Sequence, residues 1–219
     1  VFFLATTSLA TDDASLQVAE QLVGRVPGGL CLLVEPADRD LAVAVSQQGS
    51  FVVQTLVSDG AQCTAQRRSL RNAGRYGDNS ISQWDGVLLP HTDNLLNLVV
   101  VDTFPRLRAG GLALAEVMRV VAPLGTAVCG SATSADGHAD WLDQVRQEAQ
   151  TLDCQVETVK ELPGTWLRIT KRWPSTIDQW THFLHGADGN PVARDQVVGP
   201  PRHCQWTGGP IWLRSHETD

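Results

Sequence analysis

Acidic residues follow the apolar runs of this sequence, and they are the side chains best placed to do chemistry. Glu35 and Asp102 directly follow the runs 30–34 and 95–101, which are apolar apart from Asn97, and Asp85 follows the short third strand predicted at 81–84. Runs that are apolar on both alternations are typical of strands buried in a parallel sheet. Open α/β sheets bind ligands outside the carboxyl ends of such strands. These three acids therefore predict a ligand-binding edge.

The same acids have structural alternatives, which the sequence leaves open. Asp38 and Asp59 each precede a helical pattern, so either could bind a ligand or cap the helix. Asp85 with Gly86 forms either a ligand contact or a turn pair, and Asp102 either faces a ligand or caps the next turn. No Ser-His-Asp arrangement, phosphate loop or HExxH motif is present. A catalytic residue therefore stays unknown.

The elements that must position these acids alternate between strand and helix patterns. Strands are predicted at 30–34, 51–57, 81–84, 95–101, 126–129, 155–161 and 165–171. Helices are predicted at 14–23, 40–48, 60–73, 112–122 and 136–151. Such alternation indicates a largely parallel sheet covered on both faces. The last two strands are close enough to form a hairpin.

The charge and composition of the chain indicate which kinds of ligand or macromolecule it is suited to bind. The chain has 219 residues and a net charge of −7, which argues against a nucleic-acid groove. The one basic cluster is Arg67, Arg68, Arg71 and Arg75, which is interpreted as a solvated helix face, with an anion site as the alternative. Neither the cysteines nor the histidines show a metal-site spacing, so no metal is predicted. No stretch reaches the length of a membrane helix.

The central stretch carries a resemblance to a known family. It reads Asp85-Gly-Val-Leu-Leu-Pro-His-Thr-Asp-Asn94, then an apolar strand, then a helix with the text Ala115-Glu-Val-Met-Arg-Val-Val-Ala-Pro-Leu-Gly125. This succession resembles class I S-adenosylmethionine-dependent methyltransferases of the type 11 kind, over about residues 15 to 171. The resemblance implies a three-layer, Rossmann-like α/β fold with seven strands, whose last strand is inserted antiparallel. It also implies a small-molecule substrate.

The resemblance implies a cofactor site as well. The residues that would bind S-adenosylmethionine are Glu35, Asp38, Asp59, Asp85, Gly86 and Asp102. Two departures put that cofactor in doubt. The loop 35–40 contains no glycine, although the family needs glycine there for close backbone approach, and Val57 stands where the family has a ribose-binding acid. A non-catalytic scaffold is therefore the alternative function.

The two ends of the chain differ from its middle. Residues 1–11 are apolar and then small, which predicts a signal-peptide remnant and a periplasmic or secreted protein, or a cytoplasmic one if that interpretation fails. Residues 12–172 form the methyltransferase-like domain. Residues 173–219 are rich in Trp, His, Gly and Pro. Their text Trp180-Thr-His-Phe-Leu-His-Gly-Ala-Asp-Gly-Asn190 resembles the entry into a pyrroloquinoline-quinone-type β-propeller of secreted bacterial proteins. It implies a covalently linked propeller domain.

Overall fold

Residues 12–132 and 139–196 are described by the computed structural model of this chain. The strands are β1 (Gly28–Val34), β2 (Ser50–Val57), β3 (Asn79–Gln83), β4 (Leu96–Val101), β5 (Val121–Ser131), β6 (Cys154–Val159) and β7 (Thr165–Lys171). The helices are α1 (Asp13–Val23), α2 (Leu41–Gln48), α3 (Gly60–Asn72), α4 (Phe104–Ala109), α5 (Leu114–Val120) and α6 (Ala139–Thr151). The predicted remnant 1–11 and the tail beyond residue 196 lie outside the described residues.

The strands form one mixed sheet of seven strands in the order β3-β2-β1-β4-β5-β7-β6. Strands β1 to β5 pair in parallel, and β7 runs antiparallel between β5 and β6. The predicted α/β fold with an antiparallel final hairpin is therefore confirmed. Because β1 and β4 are adjacent while α2 and α3 connect β1 to β3, the strand order reverses between β1 and β4. The edge beyond their carboxyl ends is the expected ligand crevice.

The core occupies both faces of the sheet. On one face the apolar side chains of α4, α5 and α6 pack on β1, β4 and β5, with Phe104 and Trp141 in edge-to-face contact. On the other face α1 and α2 cover β1, β2 and β4. Side chains of successive strand residues point to opposite faces, so strands buried on both sides need continuous apolar runs. This need explains the apolar runs in β1 and β4, the second of which is interrupted only by Asn97.

The structure differs from the sequence prediction around Pro123. A helix was expected over 112–122, but α5 ends at Val120 and β5 begins at Val121. Proline disfavours the helical region for the residue before it, Ala122, and the β-branched Val121 favours the extended backbone that it adopts. The prediction also missed α4, because six residues are too few to display a helical period.

Buried thiols are distributed through the core. Cys31, Cys63 and Cys129 lie in three different apolar clusters, and Cys154 shares the cluster of Cys129. Burial raises the pKa of Cys129 to about 12 and raises that of Cys31 further. None of these four described cysteines forms a disulfide. They act as small apolar side chains.

A second compact unit begins at Trp173, directly after the first ends at Arg172. Its described part, 173–196, contains no helix or strand, as the irregular tail of the prediction requires. Asp178 organises this part: its carboxylate accepts hydrogen bonds from His185 Nε2 at 2.6 Å and from the Arg194 amide at 2.7 Å. His185 is 8% exposed, whereas Phe183 is 94% exposed. Hydrogen bonds to the Asp178 carboxylate therefore connect distant residues of the segment 173–196.

Candidate functional site

The carboxyl ends of β1, β2 and β4 lie side by side. Val34 pairs with Leu56 of β2 and with Val101 of β4, so the residues that follow these strands meet at one edge. Glu35 and Asp102 are both at this edge, as the sequence predicted. Their backbone amides continue the pairing, since Glu35 N donates to Leu56 O at 2.9 Å and Asp102 N donates to Val34 O at 3.1 Å.

Glu35 turns the chain sharply at the end of β1. Its φ is +48°, in the left-handed region that costs a residue with a side chain roughly 1–2 kcal/mol. Its carboxylate accepts a hydrogen bond from the Ser58 amide at 2.6 Å. The side chain therefore spans from the end of β1 to the end of β2. Part of the carboxylate's bonding capacity is satisfied within the protein.

Asp102 is the most buried acid of this edge, at 7% exposure. One carboxylate oxygen accepts from the Ala37 amide at 3.0 Å, and the other accepts from the Thr103 amide at 2.7 Å. Burial raises the pKa of Asp102, and these two hydrogen bonds oppose that rise. Asp102 thus caps the turn after β4, as one alternative proposed, and also fastens the loop after β1.

The loop 35–40 is held on its other side by Asp38. This carboxylate accepts from the Ser15 hydroxyl of α1 at 2.6 Å and from the Asp40 amide at 2.9 Å. Asp40 precedes α2 but makes no capping hydrogen bond with its side chain. Pro36 is buried beneath the loop. Two amides of the loop, those of Ala37 and Asp40, therefore already bond to carboxylates of the chain.

The end of β2 offers little to a ligand. Val57 is fully buried and has no hydrogen-bonding side chain. Asp59 accepts from the Ala61 amide at 2.8 Å and is the N-cap of α3, which was the structural alternative for this residue. Capping does not consume every lone pair of a carboxylate, but it fixes the direction in which the group points.

Asp85 and Gly86 follow β3, which lies two strands from β1 in the sheet. Asp85 is exposed, and its carboxylate accepts from the Val87 amide at 3.4 Å, which makes a turn of the kind the sequence allowed. Gly86 has a φ of +99° and open space around it. A shallow cavity of 450 Å³ adjoins them. Its lining residues are Gln83, Trp84, Asp85, Leu88 and Pro90.

The structure therefore brings Glu35, Asp38 and Asp102 together around one loop. Their partners were not visible in the sequence, because Ser58 and Ala37 contribute backbone amides, which every residue except proline carries. Ser15 contributes a side chain, but no spacing rule connects it with Asp38. Among residues 12–132 and 139–196 no three metal-binding side chains cluster together. No described helix is both long and apolar enough to span a membrane.

Comparison with solved structures identifies the fold. A putative S-adenosyl-L-methionine-dependent methyltransferase from Methanococcus maripaludis matches 74% of this chain and 87% of its own, with a TM-score of 0.55 and 18% identity. The YcgJ protein from Bacillus subtilis covers 74% of this chain and 100% of its own, with a TM-score of 0.55 and 10% identity. This is the class I methyltransferase fold. No protein-family model and no curated protein sequence matches the chain.

The methyltransferase fold does not determine the reaction. The [4+2]-cyclase SpnF matches 74% of this chain and 81% of its own, with a TM-score of 0.56 and 14% identity, and its name describes a cyclase. Folds host unrelated functions, so function must be argued from the site. Here the residues do not fit S-adenosylmethionine in the way the resemblance implies. The loop after β1 lacks glycine, its amides at Ala37 and Asp40 are bonded internally, and Val57 cannot accept from a ribose.

Proposed function

We propose that residues 12–172 form a methyltransferase-fold domain that does not transfer methyl groups and serves as a structural module. The observation that supports this proposal is the pair of hydrogen bonds across the strand ends. Glu35 bonds to the Ser58 amide between β1 and β2, and Asp102 bonds to the Ala37 amide between β4 and the loop after β1. At the edge where a cofactor would bind, these carboxylates and amides bond to one another.

Opening this edge would be unfavourable. A hydrogen bond to a charged group contributes about 1.5–3 kcal/mol, and a buried group left unpaired costs a similar amount or more. A ligand that bound through the Asp102 carboxylate, or through the Ala37 or Thr103 amide, would have to replace the bonds between them. Since Asp102 is buried, water cannot substitute freely for them. The closed arrangement is therefore the stable one for a domain whose role is to hold its shape.

A methyltransferase acting on a small molecule is the second candidate. The fold supports it, and so does the position of Glu35. Its carboxylate reaches the end of β2, where Val57 leaves no acceptor, and a second oxygen of the same carboxylate could accept from a hydroxyl. In this alternative Glu35 would take over the role of the missing acid. Asp102 and Asp85 would complete the site.

The ends of the chain supply the context of the proposal. The signal-like start supports export to the periplasm or beyond, and the text from Trp180 to Asn190 supports a β-propeller linked downstream. An exported enzyme would lack a supply of S-adenosylmethionine, which is made in the cytosol. Export therefore favours the structural module over the methyltransferase. Cell fractionation with N-terminal sequencing tests it, and an intact N-terminus in the cytosol would contradict it.

Calorimetric titration with S-adenosylhomocysteine separates the two candidates. The structural module predicts no saturable heat at millimolar ligand. Saturable binding that is weakened in Glu35→Gln but unchanged in Glu20→Gln would establish the methyltransferase site instead. Glu20 is a suitable control because it is an exposed acid of α1 outside the loop 35–40.

A further inference from the structure

Helix α3 carries a basic face on an acidic protein. Arg67, Arg68, Arg71 and Arg75 fall within or just after this helix, while the whole chain has a net charge of −7. The helix itself contains no acidic residue. We propose that this face binds a phosphate or sulfate group, held between the guanidinium groups of Arg67 and Arg71. The site lies outside the loop 35–40 and does not depend on the proposed function.

Arg67 and Arg71 are each held in place by a contact that does not neutralise the positive charge. Arg67 Nε donates to the Ile81 carbonyl of β3 at 2.7 Å, which fixes the half-buried side chain and leaves its terminal nitrogens free to bond. The Arg71 guanidinium lies 4.9 Å above the ring of Tyr76. The two residues are four positions apart, so their side chains are neighbours on one helix face.

A groove of 280 Å³ runs between these side chains. Its lining residues are Thr64, Arg67, Arg68, Arg71 and Asn72, and no carboxylate is among them. Within the part of the chain that the structure describes, none of the four arginines forms an ion pair. The Thr64 hydroxyl already donates to the Gly60 carbonyl at 2.9 Å. The Arg guanidinium groups and the Asn72 amide are therefore the donors that a ligand would meet.

This arrangement distinguishes the groove from an ordinary solvated helix face. Arginine side chains in water sample many rotamers, and ordering them opposes binding. Here the Ile81 carbonyl and the Tyr76 ring restrict two of the four side chains before any ligand arrives. Preorganised guanidinium groups lose less entropy for each hydrogen bond they form. The geometry thus favours an anion over bulk water.

The shape and charge of the groove select the ligand class. Guanidinium groups form paired hydrogen bonds with tetrahedral oxyanions and with carboxylates. A phosphate or sulfate dianion satisfies two guanidinium groups at once, which a single carboxylate does less well. Because the rest of the protein is acidic, a long polyanion would be repelled beyond the helix. A small molecule bearing one phosphate or sulfate ester fits best.

Nuclear magnetic resonance of the arginine Nε–Hε groups tests the proposal. The protein is titrated with sodium phosphate and, separately, with sodium sulfate, while sodium chloride keeps the ionic strength constant. The proposal predicts saturable shifts at Arg67 and Arg71. A sugar phosphate and a sugar sulfate then establish which ester binds more tightly. Shifts that grow linearly without saturation, for both ions, would overturn it.

Variants make the test specific. Arg71→Lys keeps the positive charge but removes the planar pair of donors, so binding should weaken about tenfold, as expected for one lost hydrogen bond. Arg146→Lys is the matched control, because Arg146 lies on another helix, α6, already pairs with Asp143 at 3.2 Å and should bind no ligand. Equal affinity in the wild type and in Arg71→Lys would mean that the guanidinium group of Arg71 makes no directed hydrogen bonds to the ion, and the proposal would fail.

Discussion

Asp102 at the end of β4 accepts a hydrogen bond of 3.0 Å from the amide of Ala37, which follows β1. The two strands are adjacent at the centre of the sheet, so this bond ties together the residues on either side of the point where the strand order reverses. A buried carboxylate is stable in such a place only when hydrogen bonds satisfy it. Asp102 therefore serves the architecture directly.

The substitution Asp102→Asn should destabilise the domain. An asparagine oxygen can accept from the Ala37 amide or from the Thr103 amide, but its NH2 group then faces the other donor. The free energy of unfolding should fall by about 1–3 kcal/mol. Urea unfolding followed by circular dichroism measures it. Asp85→Asn, in an exposed turn, is the control and should change stability far less.

The pH dependence of that difference has a definite sign. Burial raises the pKa of Asp102 above its ordinary value of 3.8, so the folded state takes up a proton more readily than the unfolded state. The contribution of this titration to stability is fully present below pH 3.8 and is lost as the pH rises through the raised pKa. The wild type should therefore lose part of its stability relative to Asp102→Asn over that range. A constant difference across the range would contradict the raised pKa.

Glu35 allows a test in which strain and bonding are separated. Glu35→Ala keeps the φ of +48° and loses the bond to the Ser58 amide, so it should cost about 0.5–2 kcal/mol. Glu35→Gly loses the same bond but relieves roughly 1–2 kcal/mol of strain. The glycine variant should therefore be more stable than the alanine variant in urea unfolding. The reverse order would mean that the left-handed conformation is not strained.

Two glycines that follow helices should differ in how well they tolerate a side chain. Gly24 and Gly74 have φ values of +58° and +65°, but only Gly24 lies under the Arg168 guanidinium, whereas Gly74 has open space. Gly74→Ala should lose roughly 1 kcal/mol from backbone strain alone. Gly24→Ala should lose more, because the φ of +58° and ψ of −114° at Gly24 lie outside the left-handed helical region and because Arg168, which bonds to the Gln21 carbonyl, must move. Thermal unfolding of both variants measures the difference, and equal losses would contradict the extra cost expected at Gly24.

The second unit depends on Asp178. Hydrogen bonds, first that of the Arg194 amide, lower the pKa of Asp178 and hold it ionised. Asp178→Ala removes the acceptor for His185 and for Arg194, so the segment 173–196 should open more often and be cleaved faster by protease. Asp188→Ala, an exposed acid in the same segment, is the control. Equal cleavage rates in the two variants would contradict the role of Asp178.

The fold could be predicted from the sequence because buried strands and helices require apolar residues at regular spacing. The runs that became β1 and β4, and the close pair β6 and β7, predicted both the parallel sheet and its antiparallel end. Helix α4 is too short to show such a pattern, and α5 ends two residues earlier than predicted, close to Pro123. Both differences concern a few residues at a boundary, where local turn chemistry competes with helix propensity.

Of the candidate site, only the positions of the acidic residues could be predicted from the sequence. Glu35 and Asp102 were expected at the strand ends, and they lie there. What each carboxylate bonds was not predictable, because the Ser58 and Ala37 amides leave no side-chain signal in the sequence. The sequence shows that the loop 35–40 lacks glycine. Only the structure shows that the Ala37 amide of this loop donates a hydrogen bond to the buried Asp102.

The buried cysteines can report how often each part of the core opens to solvent. Only a thiolate reacts with iodoacetamide, and burial keeps Cys31 and Cys129 protonated and out of reach. Alkylation at each site therefore waits for the surrounding cluster to open. Because Cys31, Cys63 and Cys129 belong to three separate clusters, peptide mass spectrometry after timed labelling would report three opening rates from unmodified protein. Equal rates would describe a domain that opens as one body, and unequal rates would reveal which layer loosens first.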